Sequence, residues 1–149
     1  MGRAVKHAAA RLRGAGTGDE GSVLLLTLGY AVLALVAVLV CVDATSLYLA
    51  QKRLDALADA AALAGADGFT LEIRDGEPIA HLTSEGVRAQ ASALVSEVGA
   101  GASLVSAATP DGVSARVTVA GRWRPPVVTL FVPDGVALES TATSRTALD

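Results

Sequence analysis

The chain has few of the residues from which catalytic and metal sites are built. Cys41 is its only cysteine, so no disulfide can form within the chain. Neither His7 nor His81 has a second histidine, a cysteine or a carboxylate cluster at metal-ligand spacing. No G-x-S-x-G, Walker or H-E-x-x-H motif occurs. We therefore expect a protein that is not an enzyme and that has no cofactor, metal or catalytic residues.

The charge balance also excludes a class of partner. The chain of 149 residues has a net charge of −3, and 13 of its 15 acidic residues lie from Asp43 onward. Nucleic-acid binding proteins carry a basic patch or stripe, and no such patch is visible in this sequence. We therefore expect no nucleic-acid partner.

The twenty residues from Val23 to Val42 are predominantly apolar and include neither a charged residue nor a proline. Twenty residues of helix at about 1.5 Å each match a hydrocarbon core of about 30 Å. We predict a transmembrane helix over residues 22–43, with the lipid bilayer as its surroundings. A cleaved secretory signal is the alternative, but its apolar region normally has only about 7–15 residues.

Basic residues predict the orientation of this span. Four of them precede it, at Arg3, Lys6, Arg11 and Arg13, and positively charged flanks stay on the cytoplasmic side. We predict a cytoplasmic tail at 1–21 and an extracytoplasmic domain at 44–149. The expected location is the cytoplasmic (inner) membrane, crossed once, with the N-terminus inside.

The helix continues beyond the span, because no helix breaker occurs before Gly65. Its second half is amphipathic, with one polar and one apolar stripe. The polar stripe is Tyr48, Lys52, Asp55 and Asp59, and the apolar stripe is Leu47, Ala50, Leu54, Leu57, Ala61 and Ala64. Small side chains along this apolar stripe would let a sheet or a second helix approach closely.

The remaining sequence predicts a second helix and several strands. Residues 67–81 are interpreted as a loop that contains His81 and a short strand, TLEIR. A helix follows, capped by Thr83 or Ser84, with Val87, Ala91, Leu94 and Val98 on one face and Gly99 at its end. Alternating residues on both sides of Pro110-Asp111-Gly112 predict a hairpin, and a last strand spans 136–147. The fold class is α+β, with a small antiparallel sheet of three to four strands.

Five residues are candidates for contact with partner proteins: Asp43, Tyr48, Leu54, Asp55 and Asp59. Asp43 is either an interfacial acid at the outer edge of the span or a buried acid that pairs with a partner subunit. Ala37 and Cys41 form a small-xxx-small pair, which allows a homo-oligomer through the long helix. Trp123, between two arginines, either touches the membrane surface or closes the small core.

Residues 19–66 resemble a known family. The matching features, in order, are Asp19-Glu20-Gly21-Ser22, an apolar span, Asp43, Leu47-Tyr48-Leu49-Ala50, Lys52-Arg53-Leu54 and Ala58-Asp59-Ala60-Ala61-Ala62-Leu63-Ala64. This segment is similar to the N-terminal region of the TadE/TadG-like proteins of the tight-adherence, or Flp, pilus assembly machinery. Glu20 precedes the apolar segment rather than lying just inside it as in peptidase-processed pseudopilins. The chain also lacks the von Willebrand-like domain of the larger members, and so resembles a short form.

The resemblance implies a pilin-like long helix, a small extracytoplasmic domain and a place in a pilus or secretion machine. The expected partners are other subunits of that machine, and the expected mode of action is binding. The alternative is an extracytoplasmic binding module, anchored by its signal segment and unrelated to pili.

Overall fold

The computed structural model describes residues 19–74, 77–127, 129 and 132–145. It divides into two units, Met1–Cys41 and Val42–Asp149. Most of the predicted tail, residues 1–18, lies outside the described residues, as do residues 75, 76, 146 and 147 of the predicted loop and last strand.

The first helix, α1, spans Asp19–Ala66 and has 48 residues. Every residue from Gly21 to Val38 is exposed, although most of them are large and apolar. This helix is long and apolar enough to cross a membrane. An exposed and uniformly apolar surface is stable in lipid rather than in water, which fits the predicted span.

The second unit combines the rest of α1 with a second helix and five strands. The strands β1 (Thr70–Arg74) and β2 (Glu77–His81) form an antiparallel pair, and α2 spans Ser84–Val98. A separate antiparallel sheet has the order β3-β4-β5, from Ser103–Ala108, Ser114–Trp123 and Val136–Arg145. The α+β prediction is confirmed, and three strands form the main sheet. His81 ends β2 rather than lying in a loop, so that prediction was wrong.

Local sequence explains where these elements begin and end. Thr83 caps α2, since its hydroxyl accepts a hydrogen bond from the Gly86 amide at 3.1 Å. At the β3–β4 turn, Asp111 Oδ1 accepts from the amides of Val113 and Ser114 at 3.0 and 2.7 Å. Gly112 follows with a φ of +79°, a conformation that glycine adopts without strain. The hairpin predicted around Pro110-Asp111-Gly112 is confirmed.

The core of the second unit lies between the sheet and the two helices. It is built from small and aliphatic residues: Leu54, Ala58, Ala61, Ala62, Ala66, Leu82, Val87, Ala91, Val95, Ala107, Ala115, Val117, Val119 and Ala142. Gly65 lies at a point of close approach, where an added Cβ would be 3.0 Å from Val87 Cγ1. Gly65 and the small buried alanines of α1 therefore allow its neighbours to pack close to the helix.

In both helices, some of the residues predicted to face the core are buried and others are not. In α1, Leu54 and Ala61 are buried as predicted, but Ala58 and Ala62 replace Ala50 and Ala64 as buried residues. In α2, Val95 is buried and Val98 is exposed, because the sheet covers the helix along Val87, Ala91 and Val95. Where alanine occupies several faces of a helix, periodicity does not determine which face packs.

Candidate protein-contact surface

Asp43 is buried near the beginning of the second unit. Its side chain is 9% exposed, and Oδ1 accepts a hydrogen bond from the Val127 amide at 3.2 Å. Oδ2 is also buried and has no hydrogen-bond partner among the described residues. Asp43 therefore contacts its own chain, at the segment that follows β4. A buried carboxylate oxygen without a hydrogen-bond partner costs free energy, so a donor group that reached Oδ2 would stabilise this site.

Trp123 lies beside the same part of α1. The half-buried indole donates from Nε1 to Ser46 Oγ at 3.1 Å. Next to it, Arg122 donates to the Asp134 carbonyl oxygen at 2.7 Å. The bond holds Trp123 against α1 of its own chain, and Trp123 is not among the residues that form the core or pack against it. Sequence reasoning missed Ser46, because its partner is 77 positions away and nothing local to Ser46 identifies it.

Asp55 connects α1 to β5. Its Oδ1 accepts from Ser140 Oγ at 2.8 Å and from Gln51 Nε2 at 3.0 Å, and Oδ2 pairs with Lys52 Nζ at 3.2 Å. The hydrogen bond from Ser140, followed by those from Gln51 and Lys52, lowers the pKa of Asp55. Besides its salt bridge with Lys52, the bonds from Gln51 and Ser140 give Asp55 a packing role that the sequence did not reveal.

Tyr48 and Asp59 lie on the outward side of α1. Both are exposed, and the Lys52 ammonium lies 5.9 Å from the centroid of the Tyr48 ring, within the range of a cation–π interaction. The exposed apolar residues Leu49 and Leu63 lie on the same half of the helix. Leu54 differs from these residues because it is in the core, at 6% exposure. Contact with partners remains a prediction for all five candidate residues.

A groove opens at the edge of the core, with a volume of about 430 Å³. Its walls come from α1, from the turn after α2 and from the sheet, and its apolar lining includes Leu54, Leu57 and Leu138. Arg53 and Arg122 also line it, and no acidic residue does. Among the described residues the one salt bridge joins Lys52 to Asp55, so neither groove arginine pairs with a described carboxylate. We call this feature the basic groove.

The described residues contain no group of three or more histidine, cysteine, aspartate or glutamate side chains that could hold a metal ion. The polar clusters that do occur join neighbouring elements of the fold. Thr118 and Thr141, for example, share a hydroxyl hydrogen bond of 2.9 Å between β4 and β5.

A segment that includes most of the long helix matches a known protein-family model. Residues 21–68 match the Tad family model, described as "Putative Flp pilus-assembly TadE/G-like". The match begins and ends within two residues of the segment that resembles TadE/TadG-like proteins, and it confirms that resemblance over this part of the chain. No curated protein and no solved structure matches the chain.

Proposed function

We propose that the chain is a membrane-anchored structural or assembly component of a Tad/Flp-type pilus or a related secretion apparatus, acting through protein–protein contacts. The observation that carries this proposal is the family match over residues 21–68. That segment contains both the exposed apolar part of α1 and the alanine-rich part on which the second unit is built. The matched helix would thus serve as anchor and as scaffold.

The proposed topology follows from the charges around the span. The basic residues before Gly21 favour a cytoplasmic N-terminus, and the domain at 44–149 would then be outside the cytoplasmic membrane. A reporter enzyme fused after Asp149 tests this arrangement, because it should be active only outside. Mass spectrometry of the mature N-terminus tests retention of the helix, since a cleaved secretory signal would remove it.

Tyr48 and Asp59 are the proposed direct contacts, because both are exposed on the outward side of α1. Asp43, Leu54 and Asp55 would support that surface from within, through the bonds and packing described above. The Tyr48 ring with the nearby Lys52 ammonium, and the Asp59 carboxylate further along the same helix, offer a partner both apolar area and charge.

Deletion and complementation in the source organism test the proposed function. We expect deletion to reduce the number of surface pili seen by electron microscopy, and the intact chain to restore it. The double variant Tyr48→Ala with Asp59→Lys should fail to restore pili at normal membrane abundance. Glu85→Lys, a change at an exposed residue of α2, is the matched control and should restore them. Unchanged pili after deletion would contradict the proposal.

A further inference from the structure

Strand β4 runs alongside α1 toward the end of the predicted span. At Gly121 an added Cβ would be 3.3 Å from Leu54 Cδ1. Two residues further, the Trp123 indole donates to Ser46 Oγ at 3.1 Å. Ser46 precedes Leu54 by eight residues, which corresponds to about 12 Å of helix. The C-terminal end of β4 is therefore the end nearer to the span.

The segment that follows β4 reaches the last residues of the span. The Val127 amide donates to Asp43 Oδ1 at 3.2 Å. Asp43 comes directly after Val42, the last residue of the uncharged run, and both of these residues belong to the second unit. The bond therefore places Val127 at the level of α1 where the predicted span ends.

Residues 123–127, which we call the basal turn, have a well-defined shape. Pro125 is fully buried, and its carbonyl oxygen accepts a hydrogen bond from the Thr129 hydroxyl at 2.6 Å. Proline restricts φ to about −65°, and Pro126 applies the same restriction to the next residue. A preformed turn binds a ligand at lower entropic cost than a mobile one. The exposed side chains of the basal turn are therefore held ready for contact.

These exposed side chains are apolar and basic. Pro126 and Val127 are exposed, and exposed Arg124 forms no salt bridge with any described residue. At the end of β4, exposed Arg122 donates to the Asp134 carbonyl oxygen at 2.7 Å. Asp134 is the one acidic residue in the sequence from 124 to 135, so the two arginines outnumber it. Guanidinium groups bind phosphate oxygens through paired hydrogen bonds, so this surface suits a phosphate beside apolar chains.

The depth of the basal turn corresponds to that of phospholipid head groups. A bilayer of about 40–45 Å includes a hydrocarbon core of about 30 Å, which leaves about 5–7 Å of head groups on each side. Ser46 is three residues beyond Asp43, about 4.5 Å along the helix. Trp123 and Val127, which are bonded to these two residues, therefore lie at the two limits of this layer. Arg124 comes between them in the chain, and tryptophan is enriched at this depth in membrane proteins.

We infer that the basal turn is a second membrane-contact site, at which Arg124 binds the phosphate of an anionic phospholipid head group and Val127 enters the edge of the hydrocarbon. The occupant is the bilayer that α1 crosses, because the turn is bonded to α1 at the end of the span. The contact holds the base of the second unit against the membrane surface. This inference rests on the membrane anchoring in the proposed function, and it adds a lipid ligand that an anchor alone does not require.

Spin labelling of the full-length chain in vesicles tests the contact. Each variant carries Cys41→Ala, which removes the only native cysteine, and a nitroxide label on either Val127→Cys or Val113→Cys. The two valines are matched, because they are 37% and 42% exposed and the amide of each donates to an aspartate carboxylate. Val113 precedes the other end of β4, about 30 Å along the strand.

The vesicles contain phosphatidylcholine and phosphatidylglycerol, with the chain at a low protein-to-lipid ratio. Neither a partner subunit nor a second copy is then available to cover the basal turn. The label at 127 should collide more often with oxygen, which partitions into lipid, than with a water-soluble nickel chelate. The label at 113 should show the reverse preference.

Charge substitution at Arg124 identifies the ligand. One basic residue at an anionic membrane surface contributes a factor of about five to binding. Arg124→Glu should therefore lower the ratio of docked to undocked basal turns by about fivefold or more, which is measured as a fall in the oxygen-to-nickel collision ratio at 127. Arg124→Lys, which keeps the charge, should preserve the collision ratio, and so should Arg88→Glu at an exposed position of α2.

Three results would each overturn the inference. The first is an equal collision ratio at 127 and 113, which would place the basal turn in water. The second is a collision ratio at 127 that Arg124→Glu does not change. The third is an equal loss with Arg124→Lys, which would show that positive charge does not hold the turn at the membrane.

The complementation strains separate this inference from the proposed function. If the intact chain restores pili and stays in carbonate-washed membranes while the label at 127 behaves like the label at 113, the lipid contact fails and the proposed function stands. If the label at 127 lies in lipid while deletion leaves pili unchanged, the lipid contact stands and the pilus role fails. Negative results in both experiments overturn both proposals.

Discussion

Asp43 and Val127 are 84 positions apart in the chain, yet the Val127 amide donates to Asp43 Oδ1 at 3.2 Å. This bond ties α1, at the first residues of the second unit, to the segment between β4 and β5. The other carboxylate oxygen is buried without a described partner, so this carboxyl group combines one favourable contact with one unsatisfied atom.

Substitutions of Asp43 should separate these two effects. Asp43→Asn keeps an oxygen acceptor for Val127 and removes a carboxylate, whereas Asp43→Ala removes the acceptor. We expect Asp43→Asn to be more stable than Asp43→Ala by about 1 kcal/mol in denaturant unfolding of the detergent-solubilised chain. The same two changes at exposed Asp59 should differ by less than about 0.5 kcal/mol. Equal stabilities for the two Asp43 variants would show that the bond contributes nothing.

Ser46→Ala should alter the environment of Trp123. Loss of the Ser46 hydroxyl leaves the indole N–H without its 3.1 Å partner, which costs about 1–2 kcal/mol for a partly buried donor. Trp123 is the only tryptophan, so its fluorescence reports this site alone. We expect a shifted emission maximum together with a lower unfolding midpoint. Thr45→Ala, at the exposed neighbouring position, is the control, and an identical spectrum for both variants would contradict the assignment.

Acid should weaken the contact between Asp55 and Ser140. The hydrogen bond from Ser140 is the largest cause that lowers the pKa of Asp55 below its ordinary 3.8. A lowered folded-state pKa contributes stability above the unfolded pKa, and this contribution is lost as the pH falls through the folded value. The intact chain should therefore lose unfolding free energy more steeply below about pH 4 than Asp55→Asn does.

Ser140→Ala provides the second test of this site. In this variant the pKa of Asp55 should rise toward its ordinary value, and the loss of unfolding free energy with falling pH should become less steep. Ser106→Ala, an exposed serine of β3, should leave the pH dependence as in the intact chain. Superimposable pH profiles for the intact chain, Asp55→Asn and Ser140→Ala would contradict the role of Asp55.

Neighbouring alanines in α1 should respond differently to enlargement. Ala61 is fully buried in the core, while Ala60 is exposed. Ala61→Leu should destabilise the chain by about 1–3 kcal/mol, because extra methyl groups have no space between helix and sheet. Ala60→Leu should change the stability by less than about 0.5 kcal/mol. Denaturant unfolding measures both, and equal losses would contradict the packing of α1 on its alanine face.

The sequence predicted the elements with strong local signals. The apolar run is long enough to indicate a helix by itself. The Thr83 cap and the turn at Asp111-Gly112 each depend on hydrogen bonds or backbone angles within a few residues. The second strand of the first hairpin was missed, since Pro78 and the flanking Asp75-Gly76 indicate a loop when taken alone. Only its register with β1, in which Pro78 pairs with Ile73, shows that it is a strand.

The candidate contact surface was less predictable than the fold. Asp43, Tyr48 and Asp59 could be selected from charge and spacing on one helix, which is local information. The bonds from Val127, Ser140 and Trp123 depend on segments far away in the chain, and the basic groove needs three elements to form. Such features follow from tertiary packing, which one-dimensional patterns do not contain.

Affinity purification of the tagged full-length chain from detergent-solubilised membranes tests the assembly role most directly. Mass spectrometry should identify Tad/Flp pilus subunits that co-purify with the intact chain and are depleted with the Tyr48→Ala, Asp59→Lys variant at equal abundance. Recovery of the intact chain from the membrane fraction with no pilus subunit attached would contradict that role.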